Sequence, residues 1–496
     1  MNDATTTTGA PVVPPEVYRE AVARLAPVLP VLTDLGARFA AAGHELALVG
    51  GPVRDAFLGR ASNDLDLTTS ARPDDIEPIL SAWGDTTWDM GREFGTIGAQ
   101  RHGAGAHGGD LVVEVTTYRA DEYDGQTRKP VVAFGDDLAG DLVRRDFTVN
   151  AMALRLPDLV FVDPHGGLLD LAARRLRTPA PPEVSFGDDP LRMMRAARFT
   201  AQLDVVAAPE VRAAMTERAG TIEMVSAERV RDELVKLLLA PQPRAGLALL
   251  VDTGLAEHVL PELPALRLEI DEHHHHKDVY EHSLTVLDQA IALEGDDVPG
   301  PDLVLRLAAL LHDIGKPATR RFEEGGRVSF HNHDVVGAKL TARRMRALRF
   351  DKETTKAVAR LVELHLRFHG YGEGRWTDSA VRRYVTDAGP LLSRLHLLTR
   401  ADCTTRNRRK AQRLAAAYDD LEARIAELLE KEELGKVRPE LDGHEIAATL
   451  GISPGPVLGR AYAHLLEIRL DEGPIGQDAA RARLLAWWAN QPESTA

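Results

Sequence analysis

Residues 48–68, LVGGPVRDAFLGRASNDLDLT, decide how the rest of the chain is read. A short apolar strand runs into Gly50-Gly51, a helix opens around Arg54 and Asp55, and a second strand carries Asp64 and Asp66. Paired glycines let the backbone turn tightly and come close to a bound anion. The following helix aims its free N–H groups and positive dipole end at that spot, which suits a phosphate, and Arg54 adds a fork of donors. Asp64 and Asp66 leave the same face of their strand. Two carboxylates beside a triphosphate pocket are what a pair of Mg²⁺ ions requires. GG before a helix is a common turn, and D-x-D alone is a common strand end. In this order, within one strand–helix–strand unit, they point to nucleotidyl transfer. The glycine spacing excludes both G-x-x-x-x-G-K-[ST] and G-x-G-x-x-G.

A length of 496 residues predicts three or four domains at roughly 100–200 residues each. Hydrophobic content of 44% and charged content of 27% are those of a globular protein. No apolar run is long enough to span a bilayer, so no membrane partner is expected. Residues 1–15 are polar and aperiodic, read as a disordered N-terminus rather than a signal peptide. Cys403 is the sole cysteine, which excludes an internal disulfide and fits a cytoplasmic location. The net charge of −15 opposes unspecific binding of nucleic acid over the whole surface. It leaves room for local basic tracks, and arginine does cluster at 144–146, 191–199, 343–350 and 406–413. For the last two clusters a solvated helix face is an equal alternative.

Along the head, a helix is expected from about residue 17 to 42. The strand ELALVGG, the helix PDDIEPILSAW, a strand near FGTIGAQ and a hairpin insertion RHGAGAHGGD follow. LVVEVTTYR alternates as a strand and places Glu114 as a candidate third carboxylate. ADEYDGQTRKPVVAFGDD, residues 120–137, has no period and reads as a mobile loop. From Leu142 the pattern turns helical: RRDFTVNAMAL is expected to open a helix, and FGDDPLRMMRAARF begins a helical region reaching about Leu260.

A second centre of chemistry lies between His273 and Asp402. His282 sits on a helix, His312-Asp313 end the apolar helix LVLRLAALLHDIGK, and His331 and His333 fall in a loop. His365 and His369 lie on LVELHLRFHG, and Asp402 on LHLLTRADCTTR. Any one of these is more often a structural histidine. As an ordered set, imidazoles and carboxylates suit one or two transition-metal ions, with His282, His312, Asp313, His333, His365 and Asp402 as candidate ligands. The run His273–His276 is read as native and not as four ligands. Beyond residue 406 come a long charged helix and a compact helical tail. Trp487 and Trp488 are expected in a core, and ISPGPVLGR as a turn before a helix.

LVGGPVRD with NDLDL, RRDFTVNAMAL, GDDPLRMMRAARF and ERVRDELVKLLLA together resemble the bacterial class II tRNA nucleotidyltransferases. These are the CCA-adding enzymes of the poly(A) polymerase family, and the likeness runs to about residue 265. Residues 273–402 resemble an HD domain, placed as in actinobacterial members. The resemblance implies an α/β nucleotidyltransferase head with a polymerase-β-like palm, over 16–155. It implies an all-α neck at 156–265 that binds the base and RNA, an HD-type helical body at 270–405, and a helical tail at 406–496 that touches tRNA. Gly50, Gly51 and Arg54 would meet the triphosphate, Asp64 and Asp66 would hold Mg²⁺, and Arg145 would contact the nucleotide. Asp189 and Arg192 would read the base edge, with Arg195 and Arg198 on the triphosphate side. One departure is visible: Asp188-Asp189 stands where the family has Glu-Asp.

Residue chemistry agrees with these roles. Asp189 and Arg192, three apart, are expected on one helix face. A carboxylate accepts from the exocyclic amine that cytosine and adenine share and that G and U lack at that edge. The implied reaction is attack of a tRNA 3′-hydroxyl on the α-phosphate of CTP or ATP, with pyrophosphate leaving. The expected partners are tRNA, CTP and ATP. The alternatives are a poly(A) polymerase, an enzyme adding only CC or only A, or an HD phosphohydrolase with a regulatory head.

Overall fold

The computed structural model describes residues 14–60, 64–105, 108–119, 135, 137–267, 278–324, 328–371, 376–405, 407–432 and 438–495. The N-terminal segment through residue 13, most of the loop 120–137 and the run His273–His276 lie outside them. The chain forms two compact units, residues 1–259 and 260–496.

The first unit is built on a mixed sheet: β1 (Leu46–Val49), β2 (Asp64–Thr69), β3 (Thr86–Trp88), β4 (Thr96–Arg101), β5 (Leu111–Thr117), β6 (Ala153–Leu156) and β7 (Val160–Val162). Their order across the sheet is β3-β4-β5-β2-β1-β6-β7, and β2 and β5 run parallel. Period-2 alternation sends Leu65, Leu67, Val113 and Val115 into one core with Leu32, Leu35, Phe39, Ile76 and Leu80 from the helices Leu29–Ala41 and Pro73–Ser81. Each such side chain contributes about 1.5–3 kcal/mol on burial. Around β1 the opposite face packs Ala47 and Val49 against Leu138 and Leu142. At β2 and β5 that face opens, and it carries Asp66 and Glu114.

Three expectations need correcting here. The helix over 17–42 is two, Pro15–Arg24 and Leu29–Ala41, because Pro27 lacks the N–H to continue the first and Pro30 instead sits in the opening turn of the second. RRDFTVNAMAL does not open a helix: it forms a 3₁₀ turn, Thr148–Asn150, and then β6, which pairs with β1 from Leu46↔Leu156 to Val49↔Ala153. The sheet therefore continues past Leu142. A short, wholly buried apolar run has no face to betray its period. The helical stretch around residue 189 is broken: Pro182–Asp188 ends, Asp189 is extended at φ −142° and ψ 102°, and Leu191–Leu203 begins. Pro190 disfavours a helical residue before it.

In the second unit, helices Val279–Leu293, Leu303–Leu311, His333–Ala347, Lys352–Leu364 and Leu392–Asp402 bring the histidines and aspartates together. His333 opens a helix rather than lying in a loop. The tail helices Gly443–Leu450, Pro456–Glu472 and Gln477–Trp488 enclose their own core of Leu441, Ile446, Leu465 and Leu484. Trp487 packs at its edge, stacked on His464 with centroids 5.3 Å apart, and Trp488 is half-buried. Among the described residues, no helix is long and apolar enough to cross a membrane.

Candidate active site and metal centre

Gly50 turns the chain from β1 into the helix Gly51–Phe57 at φ +73° and ψ −132°, a conformation only glycine adopts without strain. A Cβ there would lie 3.2 Å from Arg145 Nη1 and 4.0 Å from Asp66 Oδ2. The bend therefore brings the glycine, Arg145 and the carboxylate to one spot. Gly50→Ala is expected to cost roughly 1–3 kcal/mol of stability and to lower activity as Arg145 is pushed aside. Thermal unfolding beside a transfer assay checks both.

Asp66 and Glu114 are direct Cα partners across β2 and β5, so their side chains leave one face, and both are exposed. Asp64 starts β2, opposite Val112 and two residues before Asp66.

Behind the glycines runs a buried polar chain. Arg54 donates from Nη1 to Asn150 Oδ1 at 2.6 Å and from Nε to Asp55 Oδ1 at 2.9 Å. Asn150 Nδ2 donates to Asp146 Oδ1 at 3.0 Å, and Arg195 Nε donates to Asp146 Oδ2 at 2.8 Å. Burial alone raises the Asp146 carboxyl, but the Arg195 charge and the Asn150 bond outweigh it and hold it below its usual range. Arg198 pairs with buried Glu233 at 2.8 Å, and its own burial lowers its pKa. Arg145 pairs with Asp141 at 3.2 Å.

Asp189 and Arg192 are held by separate partners. Asp189 accepts from the Leu191 N–H at 3.1 Å and from Arg229 Nη2 at 3.0 Å. Arg192 donates from Nη1 to Ser185 Oγ at 2.8 Å and from Nη2 to the Arg144 carbonyl at 2.6 Å. They do not share a helix face, because Asp189 precedes the helix that carries Arg192.

In the second unit, His282 Nε2 lies 3.0 Å from Asp402 Oδ1 and 3.2 Å from His312 Nε2. His312 Nε2 lies 3.2 Å from Asp313 Oδ2, and His333 Nε2 3.3 Å from Asp313 Oδ1. His282, His312 and Asp402 form one candidate metal group, and Asp313, His333 and His365 another. The Nδ1 atoms of His312, His333 and His365 face the carbonyls of Ala309, Phe330 and Val362 at 2.6–2.8 Å. That contact fixes the tautomer and turns Nε2 inward, as metal-binding histidines require. His365 Nε2 is buried with no hydrogen-bond partner among the described residues. Burial and the neighbouring His312 charge lower His365 to about 4, so it stands neutral at pH 7, ready to ligate. His331 sits apart, 3.4 Å from Glu323. Lys316 Nζ, unassigned from sequence, lies 2.9 Å from Asp313 Oδ2.

Three family models match in order: the poly A polymerase head domain over residues 46–177, a probable RNA and SrmB-binding site of polymerase A over 207–266, and an HD domain over 279–432. An A-adding tRNA nucleotidyltransferase of Deinococcus radiodurans is 35% identical over 456 residues, 90% of this chain and 96% of that protein. The chain belongs to the tRNA nucleotidyltransferase family. A CC-adding tRNA nucleotidyltransferase of Thermus thermophilus is 33% identical over 448 residues, 88% of this chain and 93% of the other. A CCA-adding enzyme of Levilactobacillus brevis is 41% identical over 218 residues, 44% of this chain and 52% of its own length. The Bacillus stearothermophilus CCA-adding enzyme in complex with CTP shares the fold, with a TM-score of 0.66, 24% identity, and coverage of 94% of this chain and 97% of that one.

Within this nucleotidyltransferase, reading residue types missed the groups that hold others in place: Asn150, Asp146, Ser185, Arg229 and Glu233. Two left a signal. Asp146 and Asn150 are polar residues inside an otherwise buried run, where a polar side chain needs a partner. Glu233 is a charge among the buried positions Val230, Leu234 and Leu237.

Proposed function

We propose that this nucleotidyltransferase adds C, C and A in turn to the tRNA 3′ end, taking CTP and ATP and releasing pyrophosphate. The observation that carries this reading is the shared face of Asp66 and Glu114, opening beside the Gly50 bend and its arginines. Gly50 and Gly51 admit phosphate oxygens to the backbone N–H groups, and Arg54, Arg145, Arg195 and Arg198 offset their charge. Asp189 accepts the exocyclic amine of C or A, and Arg192 donates to a ring acceptor. Both bases carry that amine, so one reader serves both additions, and a mismatched base leaves a buried group unpaired at ~1–3 kcal/mol. The tRNA 3′-hydroxyl attacks the α-phosphorus as the bond to the β-phosphate oxygen breaks. Asp64, Asp66 and Glu114 would hold Mg²⁺, which when bound would activate the hydroxyl and neutralise charge on the pyrophosphate. Two relatives that match over nearly their whole length carry the names A-adding and CC-adding, so partial addition is the competing reading. Pyrophosphate released from CTP and then ATP, with tRNA lacking its CCA end, tests it. Release from ATP alone, or from UTP and GTP equally, would contradict it.

The HD centre supports a second reading, a metal site with phosphohydrolase chemistry, because buried His365 Nε2 has no partner among the described residues and a cation would supply one. His282, His312, Asp313, His333, His365 and Asp402 would hold the ion or ions. Burial lowers the His312 pKa, but Asp313 and Asp402 outweigh it and raise it to about 9. In the metal-free protein the His312 proton thus stabilises the fold fully below about pH 6.5, and that contribution fades as pH rises through 9. A metal takes the neutral ring, so uptake at pH 7 is expected to release about one proton, and affinity to climb between pH 7 and 9. Calorimetry in buffers of different ionisation enthalpy counts the protons.

A further inference from the structure

The carboxylate row of the head does not stop at Glu114. Asp66 pairs with Glu114, Glu114 with Gly98, and Gly98 with Trp88 across β2, β5, β4 and β3. In-register partners share a face, so these residues form one line across the sheet. Gly98 has no side chain, and the Trp88 indole fills its place: a Cβ on Gly98 would lie 2.1 Å from Trp88 Cε2. The ring therefore lies flat across β4 and points back toward Glu114, about 10 Å, or two strand spacings, from β2. Beside it opens a cavity of about 360 Å³ lined by Trp88, Met90, Phe94, Thr96, Glu114 and Arg119. Met90 is 87% and Phe94 45% exposed, an apolar rim left open among the described residues. Arg119 donates from Nη2 to the Phe94 carbonyl at 2.9 Å, which ties the rim to the end of β5.

The two ends of this row differ in chemistry. Next to Asp66 are Gly50 and the arginines, suited to phosphates. Beyond Glu114 are an indole, apolar side chains and one guanidinium, suited to a base with its flanking phosphate. If the incoming nucleotide occupies the Gly50 end, the strand carrying the attacking hydroxyl has to reach the carboxylates from the other side.

We propose that the Trp88 cavity is the acceptor subsite, in which the indole stacks the last base of the RNA 3′ end while Arg119 faces its phosphate. This rests on the transfer reading above. Stacking accepts any base face, which fits a site that must hold a discriminator base first and then C. It also keeps the acceptor base away from the Asp189–Arg192 reader, so the base being read is the incoming one.

Steady-state kinetics of wild type, Trp88→Ala and Trp88→Phe test the assignment, using tRNA that lacks CCA and the same tRNA with an abasic terminal nucleotide. Trp88→Ala is expected to raise KM for intact-ended tRNA roughly 10- to 100-fold, with KM for CTP within about twofold of wild type, and Trp88→Phe to recover most of the loss. On the abasic acceptor, wild type and Trp88→Ala should converge. An unchanged tRNA KM in Trp88→Ala, an equal rise in the CTP KM, or a loss that persists on the abasic acceptor would overturn the subsite. A wild type that transfers neither nucleotide would instead overturn the transfer reading itself.

Discussion

Asp66→Ala is expected to lower nucleotide transfer by about a thousandfold or more while leaving the fold intact. Asp66 is exposed at the open face of β2, so its removal leaves no cavity in the core made by Leu65 and Leu67. Its cost falls on the reaction: a carboxylate that fixes a divalent ion contributes several kcal/mol of transition-state stabilisation, and each 1.36 kcal/mol is a factor of ten. The expected pattern is a fall in kcat, a Tm within about 2 °C of wild type, and binding of CTP without metal unchanged. Glu114→Ala should fall in the same direction, because Glu114 stands directly opposite Asp66. Full activity in Asp66→Ala would remove the head's carboxylates from the chemistry.

Asp189→Asn is expected to redirect base choice. The asparagine keeps one oxygen, enough to accept from the Leu191 N–H as Asp189 does, and so preserves the start of the helix Leu191–Leu203. It replaces the other acceptor with an NH₂ donor, which complements the carbonyl of U or G. An exchange of one good hydrogen bond for an unpaired buried group is worth ~1–3 kcal/mol. The ratio of kcat/KM for CTP over UTP should accordingly fall roughly 10- to 100-fold. Arg229, which donates to the same carboxylate, loses its charged partner, so Arg229→Ala should weaken selectivity in the same direction by less. Competition between CTP and UTP on one acceptor reads both variants. An unaltered ratio in Asp189→Asn would move the base reader elsewhere in the neck.

How much of this was legible in the sequence depended on whether a residue acts through its type or through its surroundings. The turn at Gly50-Gly51, the face shared by Asp64 and Asp66, and the strand of Glu114 follow from local rules, because backbone freedom and period-2 alternation are properties of a few neighbouring residues. The pairing of Asp66 with Glu114 joins positions 48 residues apart and needed the sheet. RRDFTVNAMAL reads as the opening of a helix because Phe147, Val149, Met152 and Leu154 are all buried, which removes the polar stripe that distinguishes 2 from 3.6. Counting three residues from Asp189 to Arg192 puts both on one helix face only where the helix is unbroken, and Pro190 between them breaks it. The candidate metal groups of the HD centre are readable in the sequence as residue types in order. That His365 Nε2 has no partner among the described residues, and that Lys316 sits against Asp313, are facts of packing alone. Trp88 lay on a three-residue strand too short to announce itself, and its role emerges only when Gly98 is seen beneath the ring.

The most direct measurement is the sequence of product 3′ ends after incubation of the protein with CTP, ATP and Mg²⁺ on a tRNA ending at its discriminator base. The transfer reading predicts products ending in CCA and no longer, with none from Asp64→Ala/Asp66→Ala. Products that stop at CC, a single A added only to tRNA already ending in CC, or long A tracts on unrelated RNAs would each contradict it.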